Sequence, residues 1–112
     1  MKLSDIVEIL SADLCTSNAD FNMDILYGRA SDLLSDVLRF PMENAVLLTG
    51  LVNPQVIRTA EMVDIKAIVF VRDKVPTEEM IELAEELGII LMTTKHKLYR
   101  CCGLLYNQGL FD

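Results

Sequence analysis

Three short stretches carry the residues best suited to hold a ligand: "TGLVN" at 49 to 53, "RDKVPT" at 72 to 77 and "TTKHK" at 93 to 97. Each lies between an apolar run and a stretch of helical periodicity, where the carboxyl end of a strand meets the N-terminus of a helix. Free backbone N–H groups at such junctions attract anions, and a glycine lets a ligand approach the chain closely. Thr49, Gly50, Asn53, Thr93, Thr94, Lys95 and His96 are therefore the candidate set for a small anionic or phosphorylated ligand. Lys95, His96 and Lys97 are expected in the first turn of the last helix, where each cation opposes the macrodipole by roughly 0.3 to 1 kcal/mol. An incoming anion would relieve that opposition. The plainer alternative is a set of ordinary connections whose lysines extend into water.

A second cluster is the Ser-Asp repeat of "GRASDLLSDVL", residues 28 to 38. Ser31 is expected to cap a helix and Asp32 to lie in its first turn, with Leu33, Leu34, Val37 and Leu38 as the apolar stripe before Pro41. In that helix Asp32 and Asp36, at i and i+4, share a face. Two carboxylates fall short of the oxygen set a dedicated divalent site needs, so no metal is expected. Ser31, Asp32, Ser35 and Asp36 are left as capping residues, or as an interface or ligand-contacting set. No P-loop, GxGxxG, CxxC, HExxH or GxSxG occurs, and a lone His96 without a placed base or nucleophile is not a catalytic constellation. Catalytic residues and cofactors are expected to be absent.

These groups must be positioned by a regular alternation from residue 45 onward: "AVLLTG", "KAIVFVRD" and "IILMTT" as strands, "NPQVIRTAEMVD", "TEEMIELAEELG" and "KHKLYRCCGLLYNQ" as helices. Near-continuous apolar strands between helices indicate a parallel sheet covered on both faces, joined by right-handed crossovers. Asn53 before Pro54 marks one helix start, and Gly88 marks a helix end. Upstream, Leu3, Ile6, Val7 and Leu10 predict a helix over about 4 to 11 with Ser4 as its cap. "DLCTS" and "MDILYGR" read as short strands. The expected fold is one α/β domain over residues 1 to 112, a three-layer sandwich with a mostly parallel sheet of about five strands and helices on both faces.

Composition narrows the partners. At 112 residues a chain buries roughly 65% of its unfolded surface, enough for a core without staples. The formal charge of −7, with no basic stripe interleaved with aromatics, argues against nucleic acid. Apolar runs are too short to span a membrane, and Asp5 and Glu8 interrupt any leader-like segment, so a cytoplasmic location is expected. The three cysteines, Cys15, Cys101 and Cys102, fit no metal-binding spacing and are expected to be reduced. A hydrophobic content of 52% suggests an apolar surface covered by another chain, which makes a homodimer the expected state. Tyr99, Tyr106 and the tail Leu110–Phe111 are expected to point away from the sheet and into that contact.

The order of "LSDIVEIL", "YGRASDLLSDVL", "LLTG", "KAIVFV" and "PTEEMIELAEELGIILMTT" resembles the free-standing DRTGG-domain proteins over essentially the whole chain. "SDLLSDV" and the run from Pro76 to Ile89 are the most specific points of similarity. No literal DRTGG is present; the loop after "LLTG" reads "LVNPQ". The resemblance implies an α/β regulatory module, similar to inserts beside CBS domains and to the N-terminal, non-catalytic domain of HPr kinase. It also implies a setting among redox or signalling enzymes, one of which could be a protein partner. Two functional expectations follow, a ligand-sensing regulatory module and an assembly protein that binds nothing small.

Overall fold

Burial decides which apolar runs become strands. Ala45–Thr49 (β3), Ala67–Phe70 (β4) and Ile90–Thr93 (β5) are almost wholly buried, as strands covered on both faces must be. In the computed structural model, which describes all 112 residues, they pair in parallel with Leu47 opposite Ile68 and Ile68 opposite Leu91. The full sheet has five strands in the order β1-β5-β4-β3-β2, with β2 (Tyr27–Ala30) parallel to β3 and β1 (Asp13–Leu14) antiparallel to β5. The expected α/β sandwich is the observed one.

Alternate side chains of each strand enter different cores. Val46, Leu48, Val69 and Met92 meet α1 (Leu3–Ile9) and α5 (Leu98–Asn107) through Leu3, Ile6, Cys101 and Leu105. Leu47, Ile68, Phe70 and Leu91 meet α2 (Leu34–Arg39), α3 (Pro54–Met62) and α4 (Glu78–Leu87) through Val37, Ile57, Met80 and Ala84. Each fully buried Leu or Ile in these layers contributes about 1.5 to 3 kcal/mol. Three helices cover one face and two the other.

The starts of α3 and α4 and the end of α4 follow the sequence closely. The Asn53 side chain accepts from Val56 N–H at 3.1 Å with Pro54 at the first helical position, and Thr77 does the same for Met80 at 3.2 Å. Gly88, in the left-handed conformation at φ 73°, ends α4. The first half departs from expectation. Helix α1 begins at Leu3, and Asp5 rather than Ser4 closes its start by accepting from Lys2 N–H at 2.9 Å.

The two early strands are also shorter than expected. Only Asp13–Leu14 of "DLCTS" and Tyr27–Ala30 of "MDILYGR" join the sheet. Cys15 N–H still donates to Leu91 O at 2.8 Å, and the residues after it cross over the β5 edge. There the Thr16 hydroxyl accepts from Leu91 N–H at 3.2 Å, and Asn18 Nδ2 donates to Ile89 O at 3.1 Å. Ser17 donates both its N–H and its hydroxyl to one oxygen of Glu85 on α4. This strap covers a sheet edge that would otherwise be open to another strand.

The Ser31 expectation needs correcting. Helix α2 begins at Leu34 with Leu33 at its cap position and no side-chain cap. The Ser31 hydroxyl instead accepts from Leu33 N–H at 3.0 Å, a local turn two residues before the helix. Asp32 therefore lies outside the helix and shares no helical face with Asp36. The C-terminal tail is a second correction. Leu110 is buried, and Phe111 O accepts from Gly28 N–H at 2.9 Å, so the tail folds back along the β2 edge.

Asn53→Ala should cost about 0.5 to 2 kcal/mol in urea unfolding, because it removes a true helix cap. Ser31→Ala should cost less than about 1 kcal/mol, the net worth of one local hydrogen bond. The Ser17 donors hold the Glu85 carboxyl below the ordinary glutamate value, with their hydrogen bonds outweighing the opposing desolvation. A carboxylate with a lowered folded-state value stabilises above its unfolded value and loses that contribution as pH falls through the folded one. NMR titration should find Glu85 ionising below a typical Glu, and Ser17→Ala should bring it back up.

Candidate functional site

Parallel strands point their carboxyl ends the same way, so β3, β4 and β5 deliver the loops at 49 to 53, 72 to 77 and 93 to 97 to one edge. Backbone and side-chain hydrogen bonds then join the loops. Val71 N–H donates to Thr49 O, Arg72 N–H to His96 O, and Asp73 N–H to Thr94 O, all within 3.1 Å. Lys74 Nζ donates to Gly50 O at 2.6 Å, and the Thr93 hydroxyl donates to Lys74 O at 2.6 Å. Arg72 and Asp73 both adopt left-handed backbone conformations, φ 58° each, which non-glycine residues enter at a cost of about 1 to 3 kcal/mol. The bonds to the third loop hold them there.

Asp32 enters this edge from the β2–α2 connection. Its Oδ1 accepts from Gly50 N–H at 2.6 Å and from the buried Thr49 hydroxyl at 3.0 Å. Gly50 has an ordinary negative-φ backbone, so its lack of a side chain matters for space. A Cβ built there would lie 3.3 Å from Arg72 Nη2 and 3.5 Å from both Asp32 carboxylate oxygens. Arg72 and Asp32 thus flank one point above Gly50 without forming an ion pair, since Lys2 and Asp24 make the chain's single ion pair. An amide N–H and a hydroxyl hold one carboxylate beside this point, and a cation stands on its other side. The arrangement is an anion cradle with an internal anion in it.

The sequence-derived site residues divide on this basis. Thr49 and Gly50 form the cradle. Thr93 supports it by holding Lys74, and His96 by accepting from Arg72 through its carbonyl. Asn53 is committed to capping α3. Thr94 is buried, and its hydroxyl donates to Leu10 O at 2.6 Å, which fastens α1 rather than facing a ligand. Lys95, His96 and Lys97 precede α5, which begins at Leu98, and do not occupy its first turn as the sequence suggested. Ser35 and Asp36 lie exposed on α2, where Asp36 O and Phe40 O accept from the Arg29 guanidinium.

Arg72, Lys74 and the cradle role of Asp32 were not among the expected ligand residues. Arg72 and Lys74 stand in the middle loop, at the strand end where such groups gather, which is the signal that could have found them. Burial raises all three thiols, Cys101 to about 11, so the reactive thiolate is scarce at neutral pH. All three cysteines are unpaired. No helix is long and apolar enough to cross a membrane.

No family model matches the chain, and no curated protein matches it. Among solved structures, the fold is similar to the crystal structure of the CBS and DRTGG domains of the regulatory region of Clostridium perfringens pyrophosphatase, complexed with its activator diadenosine tetraphosphate. The TM-score is 0.71 at 18% sequence identity, over 93% of this chain and 45% of that one. The present chain therefore spans less than half of that regulatory region. The likeness is one of fold, and it gives the five-stranded sandwich a counterpart in a region built of CBS and DRTGG domains.

Proposed function

We propose that this chain is a non-catalytic, ligand-sensing regulatory module of the DRTGG type, which binds a small phosphorylated ligand at the carboxyl ends of β3 and β4. The observation that carries the reading is the cradle at Gly50. Its amide N–H, the Thr49 hydroxyl and the unpaired Arg72 guanidinium surround a position that Asp32 fills with its own carboxylate. The fold neighbour supports the ligand class, because that regulatory region holds a diadenosine polyphosphate activator. Kinship with the N-terminal domain of HPr kinase and a cytoplasmic setting belong to the same reading, and the three unpaired cysteines agree with the latter.

The mechanism is a population shift. A phosphate oxygen competes with the Asp32 carboxylate for Gly50 N–H and gains the Arg72 guanidinium, a charge-assisted donor suited to phosphate. Displacing Asp32 frees the β2–α2 connection, which the chain otherwise ties to the β3 end. The ligand can shift that equilibrium by no more than its differential affinity for the two arrangements.

A second reading is an assembly protein that docks a redox or signalling enzyme and binds nothing small. The exposed tyrosines of α5 favour it. Thermal unfolding with ATP, ADP and diadenosine tetraphosphate separates the two. A ligand present at 100 times its dissociation constant adds about 2.7 kcal/mol, which should raise the midpoint by roughly 10 °C or more. Arg72→Ala should weaken binding at least about tenfold, by loss of one charge-assisted contact. Asp32→Asn, which removes the competing charge, should strengthen it. Unchanged midpoints across these nucleotides and a panel of phosphorylated metabolites would transfer the case to the assembly reading.

A further inference from the structure

The side of β2 that faces α5 is built of small residues. Gly28 and Ala30, two apart on the strand, share that side, and Cys102 of α5 stands with them around one gap. Leu48 from β3, Leu105 and Tyr106 from α5 and Leu110 from the tail complete the wall. The result is a cavity of about 290 Å³. The tail bounds it, held where Leu110 N–H donates to Leu105 O at 3.0 Å and Phe111 O accepts from Gly28 N–H at 2.9 Å. Ala30 and Tyr106 are exposed, so the cavity opens to solvent beside them.

This cavity lies next to the cradle. Ala30 pairs with Leu48, and Ser31 N–H donates to Leu48 O, so the β2–α2 connection stays beside β3 as it approaches Gly50. Asp32 and Gly50 follow Ala30 and Leu48 by two residues each, about 7 Å along extended chain. A ribose spans a similar distance between a base and its phosphate.

We propose that the cavity receives the base of a purine nucleotide whose phosphate takes the place of Asp32 at Gly50. The proposal rests on the cradle as a phosphate site and adds the nucleoside to it. Size selects the ring system. A dry apolar cavity of about 150 Å³ admits one benzene ring, and nearly twice that volume suits the two fused rings of a purine. Tyr106, with its ring 4.7 Å from that of Phe111 between centroids, gives the base an aromatic surface to stack on. Asp112 on the rim is an acceptor for an exocyclic amino group. The phosphate itself has no partner inside. Arg29 is the one cation in the wall, and its guanidinium is turned away to Asp36 O and Phe40 O.

Isothermal titration calorimetry of the full chain with ATP and with tripolyphosphate, which lacks the nucleoside, tests the proposal. ATP should bind at least tenfold more tightly. In NMR spectra it should shift the methyl resonances of Leu48, Leu105 and Leu110 through the ring current of its base, while tripolyphosphate leaves them in place. Ala30→Leu fills the mouth of the cavity from an exposed position, so the unfolding midpoint should hold. It should remove most of the advantage of ATP and leave tripolyphosphate binding unchanged, whereas Arg72→Ala should weaken both. Equal affinities with unmoved methyls would overturn the proposal and leave the phosphate site standing, as would an ATP advantage that survives Ala30→Leu. If neither compound binds, the phosphate reading fails and the base pocket fails with it.

Discussion

The parallel pairing of β3, β4 and β5 is the constraint from which the rest of the molecule follows. Parallel neighbours cannot be joined by a tight turn, so each strand must be followed by a crossover that returns the chain to the opposite edge. Here those crossovers are α3 and α4, and the same handedness lays both on one face of the sheet. The other face is left for α1 and α5, which come from the two ends of the sequence. Burial on both faces in turn demands unbroken apolar strands, so nearly all polar chemistry is confined to the strand ends.

That confinement explains how a small chain of ordinary residues builds a charged cradle. Thr49 is fully buried at the end of β3, and its hydroxyl must find a partner because an unpaired buried polar group is costly. Asp32 supplies that partner and satisfies Gly50 N–H with the same oxygen. The left-handed conformations at Arg72 and Asp73 are maintained by the loop before α5, so the middle loop is shaped by both neighbours. A perturbation at Gly50 therefore has two routes outward, through Asp32 to α2 and through the middle loop to α5. Both routes end on surface elements.

The edges of the sheet are managed by different means. On the β5 side, the two-residue β1 and the strap anchored by Thr16, Ser17 and Asn18 cover the edge. On the β2 side, the tail crosses at Gly28 and inserts Leu110 against it, within van der Waals reach of the glycine. A Cβ at Gly28 would lie 3.6 Å from Leu110 Cδ2, an ordinary van der Waals contact, so the docked tail leaves room for a small side chain there. With both edges occupied, strand addition is disfavoured as a mode of association, and the helical surfaces remain for partners.

The sequence by itself determined the run of the fold from β3 to β5. Continuous apolar strands of fixed length, Asn53-Pro54, Thr77 and Gly88 act through contacts within a few residues, so their outcome is local and legible. The parallel sheet and the two covering layers followed from the same periodicity. Only the tertiary structure decided the first half and the site. Leu14 and Tyr27 pair where neighbouring strands offer free hydrogen-bonding edges, and no local pattern shows where that edge stops. Ser31 followed by Asp32 reads as a helix start, yet Asp32 is drawn to Gly50, 18 residues away, because a buried hydroxyl and an amide there need an acceptor. The cradle is thus a set of long-range hydrogen bonds among residues of unremarkable type, and such bonds leave no period or spacing in a sequence.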